Sequence, residues 1–230
     1  MSKDCNYWYH EFWAQNWYKN TFLVHDPVDI ARAIRGDKEW NNIHDSGCHF
    51  TCLAMIIGLD PARLASELSS NEEADYFCED TDIKAIDLGS NRTNLVWDQN
   101  KPNTKAKPIK LKNIWLTSSK DSKPIRARGD VTLKYIGFTK TKKYDKAVDT
   151  VKRIEKEGHH IICGPSDHSI LIAGEKGDDY FLWDPDISCD EVGNVQKAMN
   201  GSYTLRQLFE DNKSQGAIEF WEYKLEIEEK

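Results

Sequence analysis

Hydrophobic and polar positions follow two different rhythms along this chain, and the changes of rhythm mark its elements. Cys48-His49-Phe50-Thr51-Cys52-Leu53-Ala54-Met55-Ile56-Ile57 is a nearly unbroken apolar run between Gly47 and Gly58. A run of that length with glycine at both ends predicts a buried helix. Pro61 opens a second helix through Leu68, with Asp60 as its N-cap, since proline suits the first helical position and aspartate accepts from unpaired N–H groups. Asp26-Pro27 starts a helix over Val28–Arg35, stopped by Gly36, and Asp82–Leu88 reads as a short helix or loop. Val131–Phe138 has strand character. Tyr144–Glu157 carries Ala147, Val148, Val151 and Ile154 at helical spacing and ends before Gly158. His160–Cys163, His168–Ala173 and Tyr180–Trp183 read as short strands. The polar turn Glu175–Asp179 joins the last two as an antiparallel hairpin. Thr204 caps a short helix to Asp211, and Ala217–Ile227 closes the chain as a strand.

Two stretches lack a clear rhythm. Residues 1–40 form an aromatic-rich N-terminal segment in which Tyr7, Trp8, Tyr9, Phe12, Trp13, Trp17, Tyr18 and Phe22 crowd together. Trp8/Phe12 and Trp13/Trp17 are i, i+4 pairs, so helix is expected there, packed onto the core. The sharper reading is a protein-docking surface through Trp8, Trp13 and Trp17, because aromatic side chains dominate binding hot spots. Residues 89–130, with Pro102, Pro108 and Pro124 among many Lys, Asn, Ser and Thr, read as an irregular connection with short extended pieces, lying over the active site.

Composition narrows the function classes. The chain has 230 residues, 39% hydrophobic, enough for one sizeable core. A net charge of −7 offers no basic field for nucleic acid. No apolar run reaches the ~20 residues of a membrane span. Met1-Ser2-Lys3-Asp4-Cys5 lacks a signal peptide's apolar region, so a cytoplasmic place, or secretion without such a signal, is expected. The six cysteines form no tandem CxxC pair, and free thiols are expected. His44, Cys48 and Cys52 would align as zinc ligands on a continuous helix, but Gly47 interrupts it and a fourth ligand is missing. Asp184, Asp186, Ser188, Asp190 and Glu191 alternate like a calcium loop, yet Cys189 stands where the loop needs glycine. No metal or cofactor is expected.

The candidate chemistry is that of a thiol. Cys48 sits where a helix points its unpaired N–H groups, which favour thiolate. Nucleophilic catalysis then needs an imidazole to carry the proton and a group to orient it. His168 opens a strand after a turn, and Asp184 ends the next strand of the same hairpin, so both can project from one edge. Cys163 would lack a helix dipole. Cys52 points into the core by its spacing, and His159 and His160 follow a helix-ending glycine.

These residues resemble the papain-like cysteine peptidases, most closely the bacteriocin-processing (double-glycine) branch and its stand-alone relatives. The resemblance lies in Cys48, Phe50-Thr51, Cys52-Leu53-Ala54-Met55, then Ile161-Ile162-Cys163, His168-Ser169-Ile170-Leu171-Ile172, and Tyr180-Phe181-Leu182-Trp183-Asp184-Pro185. It covers roughly residues 40–68 and 130–210. It implies an α+β papain-like fold over residues 41–230, with an N-terminal helical part packed on a C-terminal antiparallel sheet. It also implies a Cys48–His168–Asp184 triad acting on a peptide or protein substrate, as in a stand-alone bacterial effector or toxin. The family's oxyanion glutamine falls at Asn42, with Asn41 and His44 as rivals. The glycine after the nucleophile is replaced by His49, which adds bulk beside the thiol and a second titrating group. A cell-wall amidase or acyltransferase would use the same triad. A catalytically silent papain-like domain would instead bind a partner through the N-terminal aromatics.

Overall fold

The computed structural model describes residues 5–7, 12–18, 43–70, 109–116, 127–165, 168–186, 203–214 and 216–229. In chain order these hold β1 (Cys5–Tyr7), a 3-10 turn (Gln15–Trp17), α1 (Ile43–Ser46), α2 (Cys48–Ile57), α3 (Pro61–Ser70), β2 (Ile109–Leu116) and β3 (Ala127–Thr141). Then follow α4 (Tyr144–Lys156), β4 (His160–Gly164), β5 (Ile170–Lys176), β6 (Asp179–Trp183), α5 (Leu205–Asp211) and β7 (Ile218–Glu229). The fold is α+β, and every strand pair is antiparallel.

The seven strands form one sheet. Its path runs β2-β3-β7-β4-β5, with β6 along β5 and β1 pairing the far end of β5. Leu171 pairs with both Ile162 of β4 and Trp183 of β6, so those strands hold opposite edges of β5. Alternation along the strands then sorts side chains into two cores. Leu171, Ala173, Phe181 and Trp183 face α2 and α3, with Trp221 and Tyr223 of β7. Ile170, Ile172, Tyr180 and Leu182 face α4 and α5. Helices therefore cover both faces. The N-terminal helices take one face as expected, while α4 and α5 take the other.

Every residue of α2 is buried, which explains its apolar run: a helix between a sheet and other segments has no solvent stripe to make polar. Its five large side chains (Phe50, Leu53, Met55, Ile56, Ile57) contribute on the order of 10 kcal/mol of burial, an upper figure because unfolded chains are already compact. Gly58 ends the helix at φ 79°, a left-handed turn that costs glycine nothing. Asp60 Oδ1 accepts from the N–H groups of Ala62 and Arg63 at 2.9 and 3.1 Å, the expected cap of α3. Thr204 forms a capping box with Gln207 at the start of α5.

The N-terminal aromatics meet the core through a belt of extended chain and one 3-10 turn. Residues 12–18 hold the 3-10 turn Gln15–Trp17 and no α-helix, so the α-helical spacing expected for Trp13 and Trp17 is not formed there. Phe12 is buried edge-on against Trp183, Trp13 packs half-buried on the core, and Tyr18 donates its hydroxyl to Asp60 Oδ2. Trp17 is 50% exposed. Trp8, the helix expected over 28–35 and the segment 82–88 lie outside the described residues. Within the stretch read as irregular, Ile109–Leu116 is a strand paired with β3. No helix among the described residues is long and apolar enough to cross a membrane.

Candidate active site

Cys48 is the first residue of α2, with Gly47 as N-cap. The thiol therefore stands in the turn whose N–H groups have no intrahelical acceptor. Glycine is required just before it. A Cβ at position 47 would lie 2.6 Å from Ile43 Cα, because α1 turns directly into α2. Gly47 N–H donates to Ile43 O and its carbonyl accepts from Thr51 N–H, each at 2.8 Å.

His168 precedes β5, where the chain returns from β4 through a turn closed by His168 N–H to Pro165 O at 3.2 Å. The second glycine of the site acts here. A Cβ on Gly164 would collide with the His168 carbonyl, so a bare backbone lets the turn fold back. Asp184 is the first residue after β6. Because Leu171 lies opposite Trp183, the start of β5 and the end of β6 share one end of the hairpin. There His168 Nε2 lies 2.7 Å from Asp184 Oδ1. The same oxygen accepts Asp186 N–H at 2.9 Å, which fixes the carboxylate. With Nε2 engaged, Nδ1 is the nitrogen left to serve a thiol.

The two halves meet across the α2–β5 contact. Cys52 Sγ is 3.6 Å from Ser169 O, and Cys48 lies one turn earlier on the same helical face. That register brings Cys48 into hydrogen-bonding contact with His168. Burial opposes charge on the ring. Hydrogen bonds to Asp184 and then Cys48, with the charges of both, outweigh it and push the His168 pKa up from 6.5 to about 10. At neutral pH the ring is an imidazolium, a ready acid for a leaving group. Asp186 is raised by burial and by Asp184, while His168 and His44 act against that rise. His44 and Asp186 thus belong to the same electrostatic neighbourhood.

The rival residues have other positions. Cys163 is fully buried, and burial together with Asp184 pushes its thiol far above the ordinary range, so it is no nucleophile. His159 pairs with Glu222 and Glu157, and His160 is buried in β4 opposite Tyr223. Glu157, His159 and Glu222 gather their donor atoms within 4.8 Å of one another, but Arg153 makes ion pairs with both carboxylates and supplies the counter-charge a metal would. Gly47 separates α1 from α2, so His44, Cys48 and Cys52 do not share a helix. The acidic run beyond Asp186 lies outside the described residues.

One sequence reading changes, and one feature went unread. His49 does not stand beside the thiol as free bulk. Its ring is 1% exposed, with Nδ1 3.0 Å from Ser169 Oγ and Nε2 2.7 Å from Tyr223 Oη. Gln15 is 4% exposed within the N-terminal belt. Its N–H donates to Pro185 O at 2.8 Å and its Nε2 to His44 O at 2.9 Å, while Oε1 has no hydrogen-bond partner among the described residues. A lone glutamine among aromatics carries no spacing signal, and only the tertiary contact marks it. Asn42 and Asn41 lie outside the described residues. Comparison of the chain with protein-family models, curated proteins and solved structures finds no match in any of the three.

Proposed function

We propose that this protein is a papain-like cysteine hydrolase that opens a peptide or related acyl bond through Cys48, His168 and Asp184. One observation carries the reading: a single imidazole holds Asp184 through Nε2 at 2.7 Å and contacts a helix-start cysteine as its other partner. In this mechanism Cys48 Sγ attacks the acyl carbon as thiolate. The His168 Nδ1–H gives its proton to the departing amine, leaving a thioester on Cys48. The neutral ring then takes a proton from water as the water attacks that thioester, and the thiolate leaves. Asp184 holds the tautomer and the ring plane and favours the charged ring without itself taking the proton. The Cys48 backbone N–H would stabilise the oxyanion. Asn42 is one amide candidate for the second donor. Gln15 is another, because its Nε2 has a second hydrogen besides the one given to His44 O, and α1 leads directly to the nucleophile.

The test compares wild type with Cys48→Ala on a peptide library and on cell-wall peptide fragments, with new amino termini read by mass spectrometry. Termini that appear only with wild type, and covalent capture of a peptidyl chloromethyl ketone at Cys48, are expected. Identical product sets, with no capture at Cys48, would overturn the proposal.

A further inference from the structure

We infer that His49 and Ser169, the residues after the nucleophile and after the base, are positioning residues that set the separation of Cys48 and His168. The inference rests on the reading of that pair as the reacting groups. His49 shares the first turn of α2 with Cys48, and Ser169 shares with His168 the lead into β5. Their side chains meet at 3.0 Å between Nδ1 and Oγ. A bond between positions 49 and 169 constrains the gap between 48 and 168, since each pair is joined by one planar peptide.

The surroundings make this link rigid. His49, Ser169 and Tyr223 are 1%, 0% and 5% exposed, so the bond is shielded from bulk solvent. The His49 ring also holds Tyr223 Oη at 2.7 Å and meets the Trp221 and Tyr223 rings edge-on at 5.5 and 5.9 Å. Rotating the ring breaks both hydrogen bonds and both aromatic contacts. Ser169 is held twice by α2, because its carbonyl also faces Cys52 Sγ at 3.6 Å. Tyr223 lies on β7, which runs between β3 and β4. One imidazole therefore ties the nucleophile's helix, the base's strand and the middle of the sheet together. Serine and tyrosine hydroxyls each donate or accept, so either neutral tautomer of His49 satisfies both bonds.

The test separates positioning from ordinary packing. Asparagine at 49 places an amide atom about where Nδ1 sits, and glutamine places one about where Nε2 sits. Alkylation of Cys48 by iodoacetamide is followed across pH by peptide mass spectrometry, alongside thermal midpoints, for wild type, His49→Asn, His49→Gln and Ser169→Ala. Ser169→Ala and His49→Gln are expected to slow Cys48 alkylation at pH 6 by roughly tenfold and to raise its inflexion, as small misplacements of reacting groups do. His49→Asn is expected to keep the wild-type profile even where its midpoint drops. Wild-type profiles in Ser169→Ala and His49→Gln would overturn the inference while leaving the reactive pair intact. A wild-type Cys48 that titrates like a free thiol would overturn the pair itself, and the inference with it. If His49→Gln does not fold, Ser169→Ala decides alone, since it removes only one hydroxyl.

Discussion

Replacing His168 with glutamine tests the reacting pair most directly. Glutamine's amide can still reach Asp184 where Nε2 did, so the orienting bond survives while the titrating ring is lost. The structure sets the expected size. His168 is pushed from 6.5 to about 10, a preference for the charged ring of roughly 5 kcal/mol at ~1.4 kcal/mol per pH unit. That preference survives the opposing cost of burial, and Asp184 is its first source, with Cys48 second. Cys48 supplies part of that preference, through its hydrogen bond and its charge. Coupling is reciprocal, so the imidazolium favours the Cys48 thiolate by the same amount. The inflexion of Cys48 alkylation should therefore rise in His168→Gln. The assay is the pH profile of iodoacetamide modification at the Cys48 peptide. Its inflexion is the quantity to read, since a lower thiol pKa also weakens each thiolate as a nucleophile. A free thiol with pKa ~8.5 is only about 0.3% thiolate at pH 6, so a wild-type inflexion shifted below ~8.5 is easily distinguished. The reasoning is refuted if wild type inflects near ~8.5, or if His168→Gln leaves the inflexion in place.

Three further outcomes are expected. In Cys48→Ala the ring keeps Asp184, so its folded pKa stays above 6.5 but below the parent value of about 10. Stability from the charged ring is then complete below about pH 6.5 and lost as pH rises through that folded value. The thermal midpoint of Cys48→Ala should fall over this window more than that of Cys48→Ala/His168→Gln, and parallel curves would refute the link; with sulfur present the ring's proton comes from the thiol and hides the effect. Gly47→Ala should cost about 1–3 kcal/mol in urea unfolding, because its Cβ meets the backbone of Ile43, and an unchanged midpoint would show that α1 yields. Burial acts to raise the Glu222 pKa, but hydrogen bonds from Arg153 and His159 hold it below 4.5, so its contribution is complete above ~4.5 and lost as pH falls through the folded value. Glu222→Gln should cost about 2 kcal/mol at pH 7 and flatten the acid loss, whereas equal loss in both proteins would contradict the ion-pair account.

Much of the frame was legible because its signals are local. The glycines around α2, the Asp60 and Thr204 caps, the helical face of α4 and the β5–β6 hairpin each depend on residues within a few turns of one another. β2 was read only as short extended pieces of an irregular connection, for an equally local reason. Ile109 and Leu111 are buried while Lys110 and Lys112 are exposed, the strand rhythm. An irregular register between Leu111 and Ile114, with Asn113 at φ 55°, breaks that alternation after four positions. The belt at residues 12–18 was misjudged as helix because aromatic spacing says nothing about Pro185 or His44, which hold Gln15 in place.

The sequence by itself determined which groups could react: a thiol at a helix start, an imidazole opening a strand, and a carboxylate ending its neighbour. Tertiary structure decided how they are arranged. Which ring nitrogen meets Asp184, which cysteine shares contact with His168, and whether His49 crowds the thiol or braces it all depend on the register between α2 and β5. Cys52 and Ser169 meet there across 117 positions of chain. Helix periodicity and capping operate over a few residues, so they fix each element's faces and ends. The offset between distant elements is set by how Trp183, Trp221 and Tyr223 fill the space beneath α2, and no local pattern encodes it.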